Sequence, residues 1–125
     1  MKNSVLFILI LIFGLVGCKN QEKLQLPNAA DVLHNNEKNL TDLIIYDIFS
    51  PPVASRIYAY TSLAAHEAIR HEDPAEASLV LKLKDFPEMP EPDKNKKYNY
   101  TLAASKAFYM VAANLTFSKD TLLQY

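Results

Sequence analysis

The stretch that decides the fold is DIFSPPVASRIYAYTSLAAHEAIRH, residues 47–71. Ser50 is a favourable residue to precede a helix, and Pro51 suits the first helical position, where its missing N–H costs nothing. We therefore predict one helix from Pro51 to His71. Its surface is apolar or small on nearly every side, which is typical of a central helix with neighbours on several sides. Five alanines would let those neighbours approach closely: Ala54, Ala59, Ala64, Ala65 and Ala68.

The histidines near the end of this helix resemble a zinc motif but have a different spacing. In the H-E-x-x-H motif, histidines four residues apart share one face of a helix. His66 and His71 are five residues apart, which rotates one about 140° from the other. His34 is too distant in sequence to place, so we predict no metal site. We expect His66 near the exposed back of the helix, and His71 to stabilise its C-terminal end.

The charged residues of this stretch need partners. Asp47 projects within an apolar stripe near the end of the preceding helix, where the helix dipole disfavours a negative charge. We predict that Asp47 pairs with Arg56 across the prolyl turn. Arg56 and Glu67 are separated by about 16 Å along the helix, so Glu67 would pair with Arg70 or with a neighbouring helix. The alternative for Arg56 is that it binds an anionic substrate.

The N-terminal residues predict a secreted, lipid-anchored chain. Residues 1–17 have a basic start, a short apolar run and small residues at the end, the layout of a signal peptide. The apolar run is shorter than the roughly 20 residues of a spanning helix. Its end, LVGC at residues 15–18, resembles the lipobox of bacterial lipoproteins, which implies acylation of Cys18. We expect a lipid anchor in the cell envelope, on the periplasmic face or outer membrane; the alternative is an ordinary signal with a chance cysteine.

Composition excludes several classes of function. The 13 basic and 14 acidic side chains give no electrostatic reason to expect nucleic acid as a partner. Cys18 is the only cysteine, so no disulfide framework can form. Both glycines, Gly14 and Gly17, fall within the predicted signal peptide. Phosphate-binding loops, dinucleotide motifs and nucleophile elbows need glycine, so the mature chain as it stands cannot build them.

The remaining chain divides into a polar tether, residues 18–28, and a helical domain, residues 29–125. An amphipathic helix is predicted over residues 29–49, and a third long helix over residues 98–117. Between the helices, residues 72–97 predict a short amphipathic piece and then a proline-bearing solvated loop. The core-facing stripe of the first helix contains Val32, Leu33, Leu40, Leu43, Ile44 and Ile48.

The last residues, SKDTLLQY, predict the start of another helix. Ser118 is a good N-cap, and Asp120 lies in the first turn. Isolated helices below about 12 residues are marginal, and only seven residues follow Ser118. We therefore expect a truncated sequence, with the residues that cover the second and third helices lying downstream.

Two segments carry a resemblance to a known family. DIFSPPVASRIYAYTSLAAHEA at Asp47–Ala68, followed by a proline-bearing loop and YNYTLAASKAFYMVA at Tyr98–Ala112, resembles the N-terminal helical region of bacterial vanadium-dependent haloperoxidase-like lipoproteins. These belong to the type-2 phosphatidic acid phosphatase superfamily. The resemblance implies an all-helical fold in which lysine, arginine, a serine-glycine-histidine turn and further arginine and histidine residues bind vanadate or phosphate.

None of these anion-binding groups can be matched to this chain. It has two arginines, neither followed by proline, and no glycine after residue 17. The three histidines correspond to no motif of the family. We therefore predict an all-α, incomplete helical bundle with about three long helices plus short helical pieces, and no catalytic, cofactor or metal residue in this chain.

The leading functional prediction is an N-terminal scaffold fragment of a lipid-anchored haloperoxidase-like or acid phosphatase-like protein, inactive alone. Vanadate would be the cofactor of a full-length relative, and the missing C-terminal catalytic half would be the partner. The alternative is a stand-alone helical lipoprotein that acts as a binding or structural module, completed by oligomerisation.

Overall fold

A computed structural model of the protein describes residues 27–122. Within this range the chain forms four α-helices and two 3₁₀ turns, and it contains no β-strand. The predicted all-α class, with three long helices plus short helical pieces, is confirmed. The predicted signal peptide and Cys18 lie outside the described residues. The helices are α1 (Ala29–Tyr46), α2 (Pro51–Ile69), α3 (Tyr100–Leu115) and α4 (Lys119–Leu122), and the turns are Arg70–Glu72 and Val80–Lys82.

Helix α1 begins with a side-chain cap and ends three residues earlier than predicted. The Ala30 amide donates to the Asn28 side chain at 3.1 Å. At the other end Ile48 adopts a left-handed backbone with φ of 55°. The Phe49 amide donates to the Ile44 carbonyl and the Ile48 amide to the Ile45 carbonyl, both at 3.1 Å. These two bonds form a Schellman motif with isoleucine where glycine is usual.

The apolar stripe predicted for α1 is partly correct. Leu40, Leu43 and Ile44 are buried in the core, but Ile48 is 87% exposed. The prediction for Ile48 was wrong because the left-handed turn breaks the helical periodicity before that residue.

Helix α2 begins where the sequence predicts. Ser50 precedes it in an extended conformation, and its carbonyl accepts from the Val53 and Ala54 amides. The Ser50 side chain makes no capping hydrogen bond, in contrast to its predicted role. The α-helix ends at Ile69, and the turn at Arg70–Glu72 occupies the last residues of the predicted helix.

Helix α3, rather than α2, is the central element of residues 27–122. It packs most extensively on α2 and also contacts α1 and α4. Ala65 of α2 and Ala104 and Ala112 of α3 are buried, which allows close approach of the helices, and Phe108 of α3 is 1% exposed. The prediction that α2 is central was wrong because one side of α2 is left uncovered, with Val53 and Tyr60 exposed there.

Helix α3 (Tyr100–Leu115) and the helical piece in the connector before it are both shorter than predicted. Asn99 caps α3 by accepting from the Leu102 amide at 2.9 Å. The short helix predicted after Ser118 is present as α4, and its Leu122 is buried in the core. In the connector between α2 and α3, the predicted amphipathic piece is only the turn Val80–Lys82. No described helix is long and apolar enough to cross a membrane.

Candidate functional site

The structure brings two of the three histidines to one surface and places the third elsewhere. His34 of α1 and His66 of α2 line the same groove, which has a volume of about 410 Å³. His66, predicted near the exposed back of the helix, is half-buried, and its Nε2 lies 3.3 Å from the Ala77 carbonyl oxygen. His71 lies elsewhere, with Nδ1 3.6 Å from a Glu91 oxygen. Among residues 27–122, no three His, Cys, Asp or Glu side chains are arranged to hold a metal ion.

Glu67 is the most buried charged residue of the described chain. Its side chain is 3% exposed, and four donors converge on it. Oε2 accepts from Arg70 Nε and Ser78 Oγ, each at 2.9 Å. Oε1 accepts from the Leu79 amide at 2.7 Å and the Val80 amide at 3.3 Å. The predicted pairing of Glu67 with Arg70 is confirmed.

The surroundings of Glu67 keep it ionised. Burial raises the pKa of Glu67, but the hydrogen bonds from Ser78, Leu79, Val80 and Arg70 outweigh burial, so its pKa lies below the ordinary value of 4.5. Its four hydrogen bonds occupy the oxygen positions that a general base would use to accept a proton from substrate. This geometry gives Glu67 a structural role in fastening the connector to α2.

Asp47 forms a second carboxylate junction, at the end of α1. Its Oδ2 accepts from the Phe117 amide at 2.9 Å and the Ser118 amide at 3.2 Å, and Oδ1 accepts from Ser118 Oγ at 2.6 Å. Burial raises the pKa of Asp47, but these bonds outweigh it and hold the pKa below the ordinary value of 3.8.

The predicted pair between Asp47 and Arg56 was wrong. Asp47 instead binds backbone and side-chain groups some 70 residues further along the chain. A helical wheel places only residues of the same or the adjoining helix, so it could not identify Ser118 as the partner. Arg56 is exposed on α2 and forms no ion pair with any residue in the described range.

The two arginines cannot converge on one anion. Arg56 and Arg70 are 14 positions apart, which is about 21 Å along a helix. Arg70 is already engaged, with Nε 2.9 Å from Glu67 and Nη2 3.2 Å from Glu91. The alternative prediction, that Arg56 binds an anionic substrate, therefore finds no second arginine to support it.

Sequence reasoning missed a groove between α2, α3 and the connector, here called the α2–α3 groove. Its volume is about 520 Å³, and its lining is mostly apolar. The alanines spaced along α2 and α3 were the signal for it, because a short side chain leaves a hollow on the helix surface where no neighbouring helix covers it. The groove-lining side chains from α2 and α3 include Ala64, Ala68, Ala103, Ala107, Met110 and Val111, and those from the connector include Met89, Pro90 and Pro92.

Large apolar side chains are exposed at several places on the described surface. Eight large apolar side chains are more than half exposed: Ile45, Tyr46, Ile48, Tyr60, Leu81, Leu102, Met110 and Phe117. Ile45, Tyr46 and Ile48 surround the end of α1, close to Phe117 because Phe117 stacks on Phe49 with ring centroids 4.9 Å apart. We call these four residues the apolar end face. Exposed apolar side chains grouped in this way suit a packing surface.

Comparisons with known proteins show a similarity to a solved structure. No family model and no curated protein matches the chain. A solved structure described as the first bacterial vanadium-dependent iodoperoxidase is similar, with a TM-score of 0.70 and 39% sequence identity over 75% of this chain. The chain spans 23% of the length of that iodoperoxidase. The predicted resemblance to the vanadium-dependent haloperoxidase group is confirmed, whereas the wider phosphatase superfamily relationship stays a prediction.

Proposed function

We propose that residues 29–122 form the N-terminal helical scaffold of a vanadium-dependent haloperoxidase-like protein and supply no vanadate ligand. The similarity in sequence and fold to part of the iodoperoxidase carries this proposal. The match spans less than a quarter of that protein, so its chemistry can reside in helices with no counterpart among these residues.

The described residues do not fit an oxyanion such as vanadate. Oxyanions are held by several cationic and N–H donors that converge on one point. Arg56 stands apart from Arg70, and the Arg70 guanidinium is occupied by Glu67 and Glu91. The carboxylates of that cluster would repel an incoming anion. Vanadate would therefore bind elsewhere in a full-length relative.

The contribution of this segment is a packing surface. The core joins α1, α2 and α3, while the apolar end face remains exposed at the ends of α1 and α3. In the proposed full-length protein, catalytic helices would cover this face and bury its apolar area. Burial of such side chains stabilises a protein by about 1.5 to 3 kcal/mol each.

A chimera tests the scaffold proposal. Residues 29–122 of this chain would replace the matching segment of the iodoperoxidase. We expect a folded chimera that binds vanadate and retains iodoperoxidase activity. A chimera that fails to fold under conditions where the parent enzyme folds would contradict the proposal.

Three single-substitution variants of the chimera test the packing surface. Ile48→Asp and Phe117→Asp place charges on the apolar end face, whereas Leu81→Asp changes an exposed apolar residue of the connector. We expect the first two substitutions to lower the melting temperature of the chimera and Leu81→Asp to leave it nearly unchanged. Equal effects at all three positions would show that the apolar end face is not the contact surface.

We also propose that Cys18 is lipid-modified and anchors the chain in a bacterial cell envelope. The lipobox-like LVGC at residues 15–18 supports this proposal. Each lipid CH₂ buried in a membrane would contribute about 0.8 kcal/mol to anchoring. Metabolic labelling with palmitate should label the wild-type chain, and the chain should sediment with the membrane fraction. Cys18→Ser should abolish both the labelling and the sedimentation. Equal labelling of the two chains would contradict the assignment.

A further inference from the structure

Part of the connector lies across the α2–α3 groove. We call residues 84–97 the strap. Its Met89, Pro90 and Pro92 line the groove opposite Ala68 and Ala103 of the two helices. Nearly every residue of the strap is exposed, and none belongs to a helix. The strap therefore depends on a few contacts to hold it in place.

The strap and the connector before it are fastened to α2 in two different ways. The connector before the strap is fixed by Glu67, which accepts the Leu79 and Val80 amides and is buried. The strap itself is held through Glu91, whose side chain is 71% exposed. Glu91 Oε1 lies 3.2 Å from Arg70 Nη2, and Oε2 lies 3.6 Å from His71 Nδ1.

Arg70 links the two fastenings but depends on only one of them. When Glu91 leaves, Arg70 keeps its 2.9 Å contact with Glu67. Release of Glu91 therefore leaves no buried cation without a partner. An unpaired buried cation would be the main energetic cost of breaking such an ion pair. An exposed carboxylate is also easily screened by salt, whereas the buried Glu67 cluster is not.

The far end of the strap has its own attachment. The Asp93 amide donates to the Tyr98 hydroxyl at 3.1 Å, and the Tyr98 ring lies 6.0 Å from that of Tyr100, in the first turn of α3. Between this attachment and Glu67, Glu91 makes the ion pairs that join the strap to the turn Arg70–Glu72 at the end of α2 in the described structure.

We propose that the strap opens over the α2–α3 groove as a lid, with Glu91 as its latch and the Glu67 cluster as its fixed hinge. Opening uncovers half-buried alanines of the groove, Ala68 and Ala103, while the helices stay folded. This device does not depend on the haloperoxidase proposal, because it rests on contacts within the described chain.

Limited trypsin digestion of the full chain tests the latch. The strap offers Lys84, Lys94, Lys96 and Lys97 as cleavage sites. Cleavage of a locally opened segment follows the population of the open form. We expect Glu91→Gln to raise the rate of strap cleavage about two- to fivefold, as loss of an exposed ion pair allows. Added salt should raise the wild-type rate towards that of Glu91→Gln.

The matched control is Glu88→Gln, in the same strap. Glu88 is exposed and forms no hydrogen bond or ion pair with residues 27–122, so its substitution should leave the cleavage rate unchanged. Circular dichroism should show the same melting curve for both variants and the wild type. Equal cleavage of Glu91→Gln, Glu88→Gln and the wild type would overturn the proposal.

Hydrogen exchange separates lid opening from general loosening. Glu91→Gln should speed exchange in a peptide covering residues 84–97 and leave the Leu79 and Val80 amides protected, because Glu67 still binds them. If exchange at the Leu79 and Val80 amides increased as much as exchange in residues 84–97, the whole connector would be unfolding. That result would contradict the proposed lid.

Discussion

Two carboxylate junctions hold the described chain together, and they differ in burial, charge and range. The Glu67 junction joins Glu67 to Arg70 and to residues 78–80; it is buried and contains a cation. The Asp47 junction joins Asp47 to Phe117 and Ser118 without a cation, and it is partly exposed.

The two junctions fix different parts of the structure: one fixes a loop near in sequence, and the other joins two helices that are far apart in sequence. Glu67 binds groups within 13 positions along the chain, so it fixes the conformation of the connector beside α2. Asp47 binds groups 70 and 71 positions away, so it fixes the end of α1 to the end of α3. Both carboxylates accept backbone amides at chain reversals, in a described segment that contains no glycine.

The largest expected effect is at the Glu67 junction. Glu67→Ala removes the acceptor of four donors and leaves Arg70 without its buried partner, so we expect a loss of about 3 to 5 kcal/mol in unfolding free energy. Urea unfolding followed by circular dichroism measures this loss. Glu76→Ala, at an exposed glutamate of the same connector, should change stability by less than about 0.5 kcal/mol. Similar losses of unfolding free energy in Glu67→Ala and Glu76→Ala would show that the Glu67 junction contributes no more to stability than an exposed residue of the connector.

A smaller effect is expected at the Asp47 junction. Asp47→Ala should lower the unfolding free energy by about 1 to 3 kcal/mol, because it leaves the Phe117 and Ser118 amides without their acceptor. In double-mutant cycles, Asp47→Ala should couple to Ser118→Ala by at least about 0.5 kcal/mol and should not couple to Arg56→Ala. Coupling to Arg56 in place of Ser118 would restore the pairing predicted from the sequence.

Acid should weaken both junctions. The folded-state pKa values of Glu67 and Asp47 lie below their ordinary values of 4.5 and 3.8. The stability that each contributes is therefore fully present above its ordinary pKa and is lost as the pH falls through the lowered one. We expect the unfolding free energy to decline below pH 4.5 as both carboxylates take up protons. Glu67→Gln should reduce the decline of unfolding free energy with falling pH, because glutamine does not titrate. An unchanged pH profile in that variant would show that Glu67 does not cause the decline.

The smallest expected effect concerns the strained turn beside Asp47. Ile48 has a φ of 55°, a conformation that costs a β-branched residue about 1 kcal/mol relative to glycine. Ile48→Gly should therefore raise the unfolding free energy by up to about 1 kcal/mol. Ile45→Gly, within the last turn of α1, should instead lower it by about 0.5 kcal/mol. Thermal melts compare the two, and destabilisation of equal size at both positions would contradict the strain at Ile48.

Features encoded over short range were predictable from the sequence. The start of α2 after Ser50 follows from proline chemistry, and the Glu67–Arg70 contact follows from helical spacing. The contact between Asp47 and Ser118 and the central position of α3 depend on how distant helices pack, which the periodicity of one helix does not contain. The end of α1 was missed because isoleucine, rather than glycine, occupies its left-handed position.

We propose above all that these helices are scaffold and carry no vanadate chemistry of their own. The most direct test is a calorimetric titration of the full chain with vanadate, with the iodoperoxidase as a positive control and an activity assay on the same samples. We expect no saturable binding and no iodoperoxidase or phosphatase turnover at vanadate concentrations that saturate the control. Saturable vanadate binding by this chain, with or without turnover, would contradict the scaffold proposal.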